Sequence, residues 1–305
     1  VSTIQAVLDV GSNSVLTLVA EVSGGDICPI HEISRVTGLG KGTKKSGRLS
    51  DDAMTATLRA MAEGFDMAQS LGATEIKAGG TMALRIAENA QEFVCRAAEQ
   101  GTPIEIISGD EEARLGFLSV ATDPLFADEP ILTIIDPGGH STEIVTATKT
   151  PEGWNETLRV SVPVGALGLR EGILAPESCD FTRVLKACTE IDSLIGMEYR
   201  PHASGRVVNL GATGTNLVSI REGYTQWEPK KVHGAVLDYE EISRAHAWLF
   251  PMTDAERAAI PGIEPGREHT LHVGALILER FLFAVHALET TVSVRGWRFA
   301  YLQNL

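Results

Sequence analysis

The chain has 305 residues, 44% hydrophobic, 22% charged and 6% aromatic, a balance that excludes a disordered chain, collagen or a coiled coil. Its 26 basic and 40 acidic residues leave a net charge of −14, shared by both halves, which argues against general nucleic-acid binding through phosphate neutralisation. Mean hydropathy is +0.05 and no apolar run reaches the roughly 18 residues of a membrane span, so no membrane partner is expected. At about 150 residues per domain, the length predicts two domains. Val1-Ser2-Thr3-Ile4-Gln5 carries no basic leader. Cys28, Cys95, Cys179 and Cys188 show no metal-ligand spacing, so a cytoplasmic protein with reduced thiols is expected.

Along the chain, apolar runs at 6–9, 15–22 and 28–36 predict three strands joined by short turns. Between Ile33 and Ser50 there is no acid, yet Arg35, Lys41, Lys44, Lys45 and Arg48 are all basic. Gly38, Gly40, Gly42 and Gly47 punctuate this stretch, which predicts a loop, either plainly solvated or an anion-steering lip. Ser50 caps a helix whose apolar face is Met54, Leu58, Met61 and Phe65. A strand at 73–78, a helix at 81–98, a strand at 103–107 and a helix at 108–119 follow. The turn Ala121-Thr122-Asp123-Pro124 is the expected boundary between domains 1–122 and 123–305, with the last segment free to cross back. The pattern then restarts, with strands at 131–135, 141–147 and 157–164. Helices at 181–195, 214–221, 239–248 and 270–287 come next, with strands at 207–210 and 291–294 among them.

The restart is an internal repeat. Val7-Leu8-Asp9-Val10-Gly11-Ser12-Asn13-Ser14 matches Ile134-Ile135-Asp136-Pro137-Gly138-Gly139-His140-Ser141 in Asp, Gly and Ser after an apolar strand. Glycines in such a turn let backbone N–H groups meet a phosphate, and an aspartate at a strand end suits Mg²⁺. Two of these turns, one per domain, could clamp one phosphate chain. A third glycine turn, Gly211-Ala212-Thr213-Gly214-Thr215, opens a helix and is either an anion or nucleotide contact or a plain connection.

Ser108-Gly109-Asp110-Glu111-Glu112 holds the sharpest catalytic candidate. Ser108 and Glu111 fit a capping box, which leaves Glu112, about 100° further round the helix, to face elsewhere. Glu112 is then either a base for an attacking water or a first-turn acid favoured by the helix dipole. Arg85 in the first turn of the 81–98 helix calls for an anionic ligand or an ion pair, and Arg170 poses the same choice. His269 and His272 share a helical spacing but have no third metal ligand in view.

Together, Asp9-Val10-Gly11-Ser12-Asn13-Ser14, Gly80-Thr81 with Arg85, Ser108-Gly109-Asp110-Glu111-Glu112-Ala113-Arg114 and Asp136-Pro137-Gly138-Gly139-His140-Ser141-Thr142-Glu143 resemble the exopolyphosphatase / guanosine pentaphosphate phosphohydrolase (Ppx/GppA) family. Val164-Gly165-Ala166 and Ile260-Pro261-Gly262 with Pro265-Gly266-Arg267 add to the likeness, which spans the whole chain and matches short, two-domain members.

The resemblance implies an α/β fold of two similar actin-like (ASKHA, ribonuclease H-like) domains with the active site in the cleft between them. It implies Glu112 as the base and Mg²⁺ (or Mn²⁺) on Asp136 and Glu143, with Asp9, at the matching strand end, as a third expected metal ligand. It implies phosphates held by Gly11, Ser12, Asn13, Ser14, Arg85, Gly138, Gly139, His140 and Ser141. A homodimer is expected from related proteins. The chain departs from the family pattern at His140, where a third glycine is usual, at Pro137, at Val15-Leu16 and over 294–299; these departures bear first on substrate preference.

The function expected is Mg²⁺-dependent removal of the terminal phosphate of inorganic polyphosphate, with Lys41, Lys44, Lys45 and Arg48 drawing in the polyanion. The alternatives are the same chemistry on guanosine pentaphosphate, a weakly active polyphosphate or alarmone sensor, and, disfavoured by the Ser108–Arg114 motif, a sugar or acetate kinase.

Overall fold

The computed structural model describes residues 2–175, 180–198 and 204–303. Chain contacts divide it into two units: 1–115 with 297–305, and 116–296.

The first unit opens on the expected meander: β1 (Thr3–Val10), β2 (Ser14–Ser23) and β3 (Asp26–Val36). The basic segment is not wholly a loop, since Thr43–Ser46 forms a short helix, α1. Left-handed glycines bound α1 on both sides, Gly42 at φ 74° and Gly47 at φ 73°. Next come α2 (Asp51–Ser70) and β4 (Glu75–Gly80). The Ser50 side chain accepts from Ala53 N–H at the head of α2, as its cap position predicts.

The helix expected over 81–98 is two helices, α3 (Met82–Ile86) and α4 (Ala90–Glu99). The break has a tertiary cause. Glu88 N–H donates to Gly47 O, and the buried Asn89 side chain accepts from Leu49 N–H and donates to Leu49 O. These bonds tie 88–89 to the end of the basic segment and replace helix continuation. Arg85 consequently stands in the last turn of α3, where a cation is favourable, not in a first turn. The strand expected over 103–107 shrinks to β5 (Glu105–Ile106), and α5 (Gly109–Ala121) follows. The division between the units falls inside α5, after Leu115, so α5 runs through it, and the 121–124 turn lies in the second unit.

The second unit repeats the plan: β6 (Ile131–Pro137), β7 (Thr142–Thr150), β8 (Gly153–Val162), α6 (Ala166–Glu171), α7 (Phe181–Glu198), β9 (Arg206–Asn209) and α8 (Ala212–Glu222). It continues with α9 (Pro229–Val232), β10 (Val236–Asp238), α10 (Tyr239–Leu249), α11 (Asp254–Ala258), α12 (Leu271–Ala284) and β11 (Glu289–Val292). The chain then returns to the first unit as α13 (Trp297–Gln303).

The sheet orders carry the repeat. The first is β3-β2-β1-β4-β5; the second is β8-β7-β6-β9-β11, with β10 added at its edge. In each, an antiparallel meander joins parallel strands through its first member. The core of the second unit surrounds α12, whose Val273, Ala275, Leu276, Ile277 and Leu278 are all fully buried. The first unit packs α2 and α4 on its sheet through Met54, Met61 and Phe93. No helix among the described residues is long and apolar enough to cross a membrane.

Cys28 and Cys95 are exposed and unbridged, Cys188 is half-buried and unbridged, and Cys179 lies outside the described residues. His269 precedes α12, so it shares no helix with His272. Burial, reinforced by Arg257 and Arg170, pushes the His272 imidazole down to about 2 and holds it neutral.

Candidate functional site

In the first unit, β1 ends in a turn closed by Gly11 N–H donating to Ser14 O at 2.9 Å. Two further carbonyls of that turn are taken up as well. Asn13 O accepts from Thr37 and Gly38 N–H at 3.0 Å, and Ser12 O accepts from Gly40 N–H at 2.7 Å. The basic segment is therefore hydrogen-bonded to the back of the turn, and it carries exposed Lys41, Lys44, Lys45 and Arg48. Arg35 is not part of this group, since its guanidinium pairs with Glu63. The α13 residue Arg298 approaches the Asp9 carboxylate at 3.7 Å.

Glu112 sits in the first turn of α5, and neighbouring side chains diverge as their helical offset requires. Ser108 Oγ accepts from Glu111 N–H at 3.1 Å, and Glu111 takes both Nε and Nη2 of Arg114. Glu112 turns inward, 13% exposed, and accepts from Arg85 Nη1 at 2.8 Å. Arg85 Nη1 also donates to Ile107 O at 3.0 Å, which anchors the guanidinium. Burial pushes the Glu112 carboxyl above its ordinary 4.5, with the Arg85 charge and hydrogen bond pulling the other way. A carboxylate with a raised pKa is a better proton acceptor near neutral pH.

In the second unit, Gly138 N–H donates to Ser141 O at 2.8 Å, the same closure as Gly11 to Ser14. Its carbonyls are taken by the start of α6: Ala166 N–H donates to Gly138 O, and Leu167 and Gly168 N–H to Gly139 O. That approach needs Gly165, where a Cβ would strike the backbone of Gly139 and His140. His140 is fully buried, so its imidazole does not project over the exposed side of the turn. Asp136 and Glu143 are directly opposed across β6 and β7. Residues so placed have Cβ atoms about 4.5–5.5 Å apart, and like charges there repel. Glu143 is 2% exposed and accepts from Ser161 Oγ at 2.7 Å.

This pair suits a divalent cation. Among the described residues no three His, Cys, Asp or Glu gather into an all-protein cage. Two carboxylates with the remaining positions left to water and phosphate is the usual Mg²⁺ arrangement.

At the third glycine turn, Gly211 has φ 77°, and a Cβ on it would come 2.8 Å from Asp136 Oδ1, so this turn lies against the Asp136 carboxylate. Thr213 and Gly214 are engaged in packing: Gly274 of α12 abuts Thr213 Oγ1, and Gly214 abuts the Asn209 side chain. Arg170 reaches Asp254 at 3.6 Å, an ion pair.

Reading the residues alone missed three groups at these turns: Ser161, Arg298 and the α6 start behind Gly165. Ser161 was legible from strand register, since it pairs with Glu143 across β7 and β8. Arg298 had no local signal, because its partner lies at the other end of the chain.

Two units with this strand order, each with an Asp-x-Gly turn closing its first strand, define an actin-like α/β protein. More narrowly, the chain belongs to the Ppx/GppA phosphatase family, whose model matches residues 18–301. A crystal structure of the Aquifex aeolicus member of that family is 27% identical, with all of this chain and 97% of that chain covered at a TM-score of 0.80. An exopolyphosphatase-like protein is similar in fold at a TM-score of 0.92, with 24% identity over 99% of this chain and 97% of that one. An exopolyphosphatase from Cytophaga hutchinsonii shares the fold at 0.85, with 21% identity over 98% and 96%.

Proposed function

We propose that this phosphatase is an exopolyphosphatase that removes the terminal phosphate of inorganic polyphosphate. Glu112 accepts a proton from the attacking water, and its burial beside Arg85 supports that role. Asp136 and Glu143 would hold Mg²⁺ or Mn²⁺, which would supply Lewis-acid stabilisation of the transferring group. N–H groups of the Gly11–Ser14 and Gly138–Ser141 turns receive phosphate oxygens. The observation that favours a long polyanion is the basic segment. On a chain of net charge −14, the segment that bears four cations is hydrogen-bonded, through Thr37, Gly38 and Gly40 N–H, to the Ser12-Asn13 backbone of one proposed phosphate turn.

Phosphate release is measured with Mg²⁺ from long polyphosphate, guanosine pentaphosphate and ATP in parallel. Release chiefly from polyphosphate is expected, and its disappearance on chelation. Release chiefly from the guanosine nucleotide would move the assignment to alarmone hydrolysis.

A further inference from the structure

The end of the chain delivers a buried arginine to the first phosphate turn. The Arg298 side chain is 9% exposed, and its Nη1 stands 3.7 Å from Asp9 Oδ2. Its Nε is buried with no hydrogen-bond partner among the described residues. As a stabilising device this is poor. Desolvating two charges offsets much of their attraction, and the strongest arginine–carboxylate pairs bond through two donors at shorter range. Here one long contact is made and a donor is left over.

What the pair does change is the field at the turn. Asp9 stands two residues before Gly11, and a carboxylate there repels an anion. Everything else noted around this turn suits an anion. The cross-strand partner of Asp9 is Leu16, which adds no charge. Lys41, Lys44, Lys45 and Arg48 stand on the segment behind it.

We propose that Arg298 sets the charge preference of the Gly11–Ser14 turn. By cancelling Asp9 it makes the turn a phosphate site and keeps a divalent cation off Asp9. Arg298 is a positioning residue, acting through Asp9, and the inference rests on the phosphatase reading above.

Tripolyphosphate binding is measured by titration calorimetry in EDTA, alongside phosphate release from long polyphosphate with Mg²⁺. Arg298→Met should weaken tripolyphosphate binding and raise KM about tenfold, the scale of one close charge contact, with kcat changed less than about twofold. Arg298→Lys should stay within about threefold of wild type. Asp9→Asn, which leaves the guanidinium in excess, should bind tripolyphosphate more tightly, by about tenfold. Asp9→Asn with Arg298→Met restores neutrality and should return to within about threefold of wild type.

A purely structural arginine would instead lower kcat and melting temperature together and gain nothing from Asp9→Asn. Unchanged binding in Arg298→Met, or a double variant as weak as the single one, overturns the inference. If Arg298→Met does not fold, absence of tightening in Asp9→Asn overturns it by itself. A wild-type protein that neither binds tripolyphosphate nor releases phosphate overturns the functional reading, and this inference with it.

Discussion

The Gly11–Ser14 and Gly138–Ser141 turns close with the same hydrogen bond and end the same first strand of their sheets, yet their electrostatics differ. Asp9 faces Leu16 across the sheet and meets the Arg298 guanidinium. Asp136 faces Glu143. One turn gathers positive charge, from Arg298 and the basic segment. The other concentrates two carboxylates in a buried strand pair. A duplicated backbone thus carries opposite local charge at its two turns, which on the proposed reading puts phosphate at both and a cation beside the second. The divergence lies in side chains directly opposite the shared aspartate, not in the backbone.

Neither turn supplies a base, so the largest loss should come from outside both. Glu112→Gln should lower phosphate release by roughly a hundredfold or more while tripolyphosphate binding persists. A smaller loss would mean that the turns and cation provide most of the rate.

The backing of the two turns is distinguished by stability. Gly165→Ala drives a methyl into the Gly139-His140 backbone and should cost about 3 kcal/mol in urea denaturation. Gly138→Ala, whose Cβ would lie 2.8 Å from Ser141 O, should cost more than Gly11→Ala, whose Cβ would lie 3.3 Å from Ser14 O. Equal costs would mean that the turns relax alike.

The charge contrast predicts that Glu143→Gln raises the Mg²⁺ concentration for half-activation about tenfold, whereas Leu16→Gln at the matching register leaves it within about twofold. The smallest effect concerns pH. Burial raises the Glu112 pKa and Arg85 opposes that rise. The base works deprotonated, so activity falls as pH drops through the raised value. Arg85→Gln removes the opposing influence, so the acid limb of kcat/KM should move to higher pH. Movement to lower pH would remove Arg85 from the account.

Much of this was legible in the residues, and what was not has physical causes. The repeat of Asp, Gly and Ser after apolar strands pointed to two turns of one kind, because strand ends and glycine turns are local features. The helix break at 87–89 was hidden, since nothing near Asn89 signals that Leu49 will claim its side chain. The site likewise showed its local half first. The divergence of Glu111 and Glu112 follows from helix geometry, while the partners Arg85 and Arg298 come from distant segments. The shared-face spacing of His269 and His272 misled, because α12 begins only after His269.

The return of α13 to the first unit bears on the order of events during synthesis. Residues 116–296 form one uninterrupted stretch and can fold as soon as they leave the ribosome. The N-terminal unit, although most of it is translated before that stretch, lacks α13 until residues 297–303 have been made. Until then Gly79 has no Trp297 indole packed on it, and Asp9 is without its guanidinium. The first unit is therefore completed only after the second has been made, and the Gly11–Ser14 turn cannot reach its final surroundings ahead of it.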